Sequence, residues 1–178
     1  MRFIELTKVK FAFIHLFWIT PFIFLTACGG TRSSGQIQNF EELQSLVASR
    51  NFEIEQEWAN PVGGGNINLI GNPNFIRFSG DSVEVFLPYF GVRHSGGSYG
   101  GEGGIKYEGL AENLTINENA EKRNIELEFE GDQDNENLEF HIKLFSNGSS
   151  YTSVNTTQRA SISYQGNISR TEDNEMKE

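Results

Sequence analysis

Residues 124–145 read NIELEFEGDQDNENLEFHIKLF. Ile125, Leu127 and Phe129 alternate with glutamates, and after a polar interruption Leu138, Phe140, Ile142 and Leu144 alternate with Glu139, His141 and Lys143. Successive side chains of a strand point to opposite faces, so a period of two gives each segment one apolar and one charged face. That is the pattern of a half-buried antiparallel strand, and GDQDNE at 131 is the turn between two of them.

The same alternation runs outward in both directions. NFEIEQEW at 51–58 puts Phe52, Ile54 and Trp58 on one face and Glu53, Glu55 and Glu57 on the other. It returns in Ile67 and Leu69, in Val83, Val85 and Leu87, in Leu114 and Ile116, and in Ala160, Ile162 and Tyr164, closing before Gly166. PVGGG at 61, GNPN at 71, SGD at 79 and SNGS at 146 supply turns. Roughly eight to ten short strands with no helix between them exclude a parallel sheet. The expected fold is mainly β, a single antiparallel meander closed as a barrel, with a β-sandwich as the alternative. One helix precedes it: Ile37, Phe40, Leu43 and Val47 fall at helical spacing, and Asn39 with Glu42 marks an N-cap, giving a helix over 39–49.

The N-terminus gives an address. Arg2, Lys8 and Lys10 precede an apolar run from Phe11 to Leu25, about the length of a signal-peptide core and short for a membrane span. The run ends in LTAC, which resembles a bacterial lipobox and implies cleavage after Ala27 and lipidation of Cys28; an ordinary secretory signal with an incidental cysteine is the alternative. Cys28 is the single cysteine, so an internal disulfide is excluded. The expected organisation is a signal peptide over 1–27, a tether over 28–36, the helix and barrel over 37–168, and a charged disordered tail over 169–178. Loss of the signal removes three basic residues and one acidic one, moving the formal net charge from −10 to −12. That charge argues against nucleic acid, and the membrane would be reached through the lipid.

A capped helix leads to A-N-P at 59–61, then G-D-S-V-E-V-F-L-P-Y-F-G at 80–91, G-G-I at 103–105, S-N-G at 146–148 and I-S-Y-Q-G at 162–166. In this order the chain resembles the Bacteroidetes lipoproteins of domain of unknown function 4251 (DUF4251), over nearly all of the mature chain. The resemblance implies a lipocalin-like β-barrel on a lipid anchor in an envelope with an outer membrane, and it brings no activity and no catalytic residues. Gly29, Gly30, Thr31 and Arg32 follow the cysteine where surface-exported relatives carry acids, so an outer-membrane lipoprotein of a Gram-negative bacterium facing the periplasm is expected.

The chemistry-bearing candidates are few. GGSYGGEGG at 96–104 lacks the lysine and the strand–helix context of a phosphate loop, and Glu102 would repel an anion. It is either a flexible crossing of a barrel end or a lid over a mouth lined by Tyr89, Phe90, Arg93 and Tyr99; alternatively Tyr89 and Phe90 cap the core. His94 and His141 stand apart, so no zinc site is expected, and no G-x-S-x-G nucleophile motif occurs. DQDNEN at 132–137 begins like a calcium loop and then fails, with Asn137 at the glycine position, and reads as a solvated turn. Asp81, Ser82 and Val83 match a short O-glycosylation acceptor only weakly. The expectation is a non-enzymatic lipoprotein without metal or cofactor, binding a small apolar or amphipathic ligand at the barrel mouth. The alternative is a structural or protein-interaction lipoprotein with a filled barrel, since fifteen phenylalanines pack a small barrel easily. A hydrolase using paired carboxylates is the residual possibility.

Overall fold

A computed structural model describes residues 37–95 and 103–171. The expected signal peptide, Cys28, the tether to residue 36, Tyr99 and the tail from 172 lie outside the described residues. Helix α1 (Phe40–Ser49) is followed by strands β1 (Asn51–Pro61), β2 (Ile67–Asn68), β3 (Phe75–Ser79), β4 (Ser82–Leu87), β5 (Ile105–Leu110), β6 (Glu112–Asn119), β7 (Asn124–Gln133), β8 (Glu136–Phe145), β9 (Ser149–Thr156) and β10 (Ile162–Arg170). They form one antiparallel sheet in the order β5-β4-β3-β1-β10-β9-β8-β7-β6, with β2 paired to β1 beside that path. Apart from β1 meeting β3 past the short β2, neighbours along the path are neighbours in sequence except where β1 meets β10, the pairing that closes the meander into a nearly complete barrel. The barrel expectation holds, and the sandwich does not.

Closure depends on how β5 and β6 share the last gap. Nine antiparallel strands in a row leave the two end strands running in the same direction, so they cannot pair antiparallel with each other. Only Ala111 separates them, and they act as one bent strand: β5 pairs with β4, and β6 with β7. Counted that way the barrel has an even number of strands. The bend lies beside Asn113, in the left-handed region at φ 53°, where the β6–β7 register shifts. Where β5 passes β7 without a hydrogen-bonded ladder, the Tyr107 ring covers Gly131. A Cβ on Gly131 would lie 2.5 Å from that ring, so only glycine admits the seal.

The interior is lined mainly by buried apolar side chains, and a chain of packed rings runs through it. Phe52 stacks on Phe78 (ring centroids 4.7 Å apart), Phe78 meets Phe129 edge-on (5.5 Å), and Phe129 stacks on Phe140 (4.5 Å). This chain of rings links β1, β3, β7 and β8, with Ile54, Ile76, Leu87, Leu127, Leu144 and Val154 buried around it. Such ring pairs contribute about 0.5–1.5 kcal/mol each beyond their burial. The outer faces of β7 and β8 are charged, the reverse of a membrane-spanning barrel. Among the described residues no helix is long and apolar enough to cross a membrane.

Helix α1 plugs one end. Asn39 Oδ1 accepts from the Glu42 amide at 2.8 Å, and the Glu42 carboxylate accepts from the Gln38 amide at 3.1 Å, which satisfies two otherwise orphaned donors. Phe40, Leu43, Leu46 and Val47 are buried on the face toward β1 and β8. Gln44 bonds Glu118 in the β6–β7 hairpin, and Arg50 bonds Asp81 in the β3–β4 turn, so the helix lies across the hairpin turns of this end.

Four expectations need correction. Trp58 is not on the inner face: a β-bulge between Gln56 and Trp58 puts Gln56 and Ala59 inside and turns Trp58 out, 37% exposed. The bulge backbone presses on Gly166, where a Cβ would fall 1.9 Å from the Glu55 carbonyl oxygen. Strands β3, β5 and β9 stand where the alternation named no run. The turn at 131 is shorter than expected: β7 runs to Gln133, and Asp134 and Asn135, both at positive φ, make a two-residue turn. Finally, β10 continues through Gly166 to Arg170, so Ser169 and Arg170 pair with Glu53 and Phe52 and belong to the sheet, not to a tail.

Candidate functional site

The end opposite α1 is the expected mouth. Three connections meet there: the described parts of the β4–β5 connection (88–95 and 103–104), the Asp134–Asn135 turn and the loop between β9 and β10. Glu136 is the first residue of β8 and shares its inward face with Leu138 and Phe140. Its carboxylate is 4% exposed and takes Arg159 side-on, with Nε 2.9 Å from Oε1 and Nη2 2.9 Å from Oε2. Arg159 is itself buried, its side chain 8% exposed, and its Nη1 donates to the Gly104 carbonyl at 2.8 Å. Arg93 adds a second guanidinium, with Nη2 3.2 Å from Glu136 Oε2 and 3.1 Å from Gln158 Oε1. Two cations on one carboxylate leave the cluster at +1.

Burial by itself would raise the Glu136 carboxyl, but hydrogen bonds from Arg159 and Thr156 and the charges of Arg159 and Arg93 outweigh it and hold the group below the ordinary carboxylate range. An ionised carboxylate committed to two guanidinium groups has neither the raised pKa of a general acid nor the free lone pairs of a base. Among the described residues Glu136 is the one buried carboxylate.

Tyr89 completes the closure. Its hydroxyl lies 2.9 Å from the carbonyl oxygens of both Val92 and Ala160, and the Arg159 guanidinium sits 5.2 Å over its ring. Burial raises its pKa, partly offset by Arg159. The backbone pairs in the same place: the His94 amide donates to Gln158 and the Ala160 amide to Val92. Beneath, the Tyr164 hydroxyl donates to the Pro88 carbonyl at 2.8 Å, and burial pushes that phenol far up. The structure thus brings Tyr89 and Arg93 together as parts of a clasp. Phe90 is not in it; it stands at the rim, 38% exposed, beside exposed Val92. Tyr99 lies outside the described residues.

The organising pair, Glu136 and Arg159, escaped the sequence reading. Glu136 carried a signal, the parity it shares with Leu138, Phe140, Ile142 and Leu144. Arg159 carried none, because it sits in a loop. The solvated-turn reading of 132–137 is right for Asp134 and Asn135 and wrong for Glu136. His141 is exposed beside Glu128, and no group of histidine, cysteine or carboxylate side chains among the described residues is arranged to hold a metal ion.

Fold and site together define a nearly closed antiparallel β-barrel with a ring-rich core, plugged by a helix at one end and clasped by ions at the other. The chain belongs to the family described as Domain of unknown function (DUF4251), whose model matches residues 35–168. A crystal structure of a DUF4251 family protein from Bacteroides eggerthii, at 1.95 Å resolution, shares the fold with a TM-score of 0.56 at 13% identity, over 74% of this chain and 87% of that one. No curated protein matches the sequence.

Proposed function

We propose that this chain is a non-enzymatic lipoprotein of a Gram-negative envelope, anchored through Cys28 in the outer membrane and facing the periplasm, that works through its surface and not by enclosing a ligand. One observation carries this reading: the chain of Phe52, Phe78, Phe129 and Phe140 occupies the space where a barrel of this kind would hold a ligand. The clasp of Glu136, Arg159 and Arg93 supports it, because a guest entering at that end would have to separate a buried ion pair.

The test is to express the full chain in a Gram-negative host fed labelled palmitate and purify it in detergent. Label should enter the wild type and not Cys28→Ser, and native mass spectrometry should give a mass with no adduct beyond the anchor after incubation with envelope lipid extract. A stoichiometric lipid adduct overturns the filled-barrel reading. The second reading, a small amphipathic ligand at the rim, is favoured by the exposure of Phe90 and Val92 beside Tyr89. It requires an adduct that disappears in Phe90→Ala, a substitution that leaves the clasp intact.

A further inference from the structure

The bulge in β1 has a counterpart on the outside of the barrel. By turning Trp58 outward it places that ring next to Gln165 on β10, which is paired in register with Tyr151 on β9, which is paired with Lys143 on β8. These four side chains form one row across four strands. Strands lie about 4.8 Å apart, so the backbones carrying Trp58 and Tyr151 are separated by about 10 Å. Both rings are exposed, Trp58 by 37% and Tyr151 by 42%. Between and beside them runs a groove of about 450 Å³ that includes Glu57 and Asn167 in its lining. The Asn167 amide donates to Glu57 Oε1 at 2.8 Å and fixes the carboxylate. Lys143 is held by Glu126 at 2.6 Å.

We infer that this groove is a carbohydrate-binding site, with Trp58 and Tyr151 as stacking platforms for pyranose rings and with Gln165, Asn167 and Glu57 bonding the ring hydroxyls. Charge is the first argument. In a chain of net charge −10, the outward positions Tyr151, Ser153 and Asn155 on β9 and Ser163, Gln165 and Asn167 on β10 carry no ionised group, whereas β7 presents glutamates. A row of amides and hydroxyls offers donors and acceptors together, which a hydroxyl-rich neutral ligand uses and an ion does not need. The second argument is the mixture of surfaces. Two separated aromatic faces with a polar row between them do not make the continuous dry centre of a protein interface, and a lipid tail would strand the amides. A sugar chain has apolar ring faces and polar edges in alternation, and two aromatic side chains carried on backbones about 10 Å apart suit an oligosaccharide lying across the strands. The volume lies within the range of small-ligand sites.

The molecule supplies its own reporter. Trp18 and Trp58 are its two tryptophans, so Trp18→Phe leaves emission from the site alone. The full chain with that substitution, in detergent micelles, is titrated with cellotetraose, chitotetraose and laminaritetraose. At least one should shift Trp58 emission saturably, and Tyr151→Ala should weaken that binding roughly tenfold. Trp58→Ala, read by calorimetry, should do the same, with an unchanged circular-dichroism melt in both because the rings are exposed. Phe90→Ala should bind as the parent does. No response to any of the three sugars, or undiminished affinity in Tyr151→Ala, overturns the assignment. A lipid adduct dependent on Phe90 alongside intact sugar binding would overturn only the surface-acting reading above and leave this groove standing.

Discussion

The two ends of the barrel are closed by opposite chemistries. At one, Phe40, Leu43, Leu46 and Val47 of α1 bury apolar surface over the ends of the strands, a contact without strict direction. At the other, Arg159 and Arg93 hold Glu136 through geometry that tolerates little displacement, in a place where unpaired charge is costly. The comparison teaches where each closure is vulnerable. A plug loses stability in proportion to the surface removed, while a clasp fails when either partner goes.

The sharpest way to break the comparison is Glu136→Gln, which leaves Arg159 buried without its counter-charge. Chemical denaturation should show a loss of about 3–5 kcal/mol. The double replacement Glu136→Leu with Arg159→Met should recover most of it, because apolar groups of similar volume substitute for a buried pair at little cost. A single variant as stable as the wild type would mean that the clasp contributes nothing to the fold. The plug's counterpart is Leu43→Ala, fully buried at the helix–barrel contact, expected to cost about 2–5 kcal/mol by transfer and cavity terms together. No second substitution elsewhere should rescue it.

Acid separates the ends further. The folded Glu136 carboxyl titrates below its unfolded value, so its contribution is complete above the ordinary carboxylate range and is lost as pH falls through the depressed folded value. Wild-type stability should therefore drop in strongly acidic solution more steeply than that of the Leu/Met double variant, as followed by unfolding midpoints across pH. A parallel pair of profiles would assign the acid sensitivity to other carboxylates.

What could be read from the sequence divides along the same line. The plug was legible because helical spacing and an Asn39 cap are local signals, and β7 with β8 because their inward residues are apolar. Strand β9 was not, since it turns Ser150 and Thr152 inward and so shows no apolar alternation. Trp58 misled because the bulge that reverses it is set by a partner more than a hundred residues away, Gly166, whose missing side chain lets the β1 backbone approach. The Glu136–Arg159 contact spans a hairpin and two strands, and charge pairs at such separation leave no periodic trace. Local chemistry is written in order along the chain, and closure chemistry is not.

Smaller substitutions sharpen the contrast. Asn39→Ala removes the cap of α1 and should cost about 1 kcal/mol, visible in the global denaturation midpoint because the helix is part of the core.

Tyr89→Phe should have the smallest effect and the most local one. The hydroxyl bonds carbonyls of Val92 and Ala160 at a partly exposed rim, so water can replace it once it is gone, and the net loss should be about 0.5 kcal/mol. Its consequence lies in the loop. The His94 and Ala160 amides are protected by bonds to Gln158 and Val92, which the Tyr89 hydroxyl holds in place from beside. Hydrogen exchange at those two amides should accelerate in the variant, while amides of β7 and β8 exchange as in the wild type. If the barrel amides accelerate equally, Tyr89 supports the whole fold and the mouth is continuous with the core. If only the loop pair does, the clasp opens independently of the plug, and the two ends are separate closures in energy as well as in chemistry.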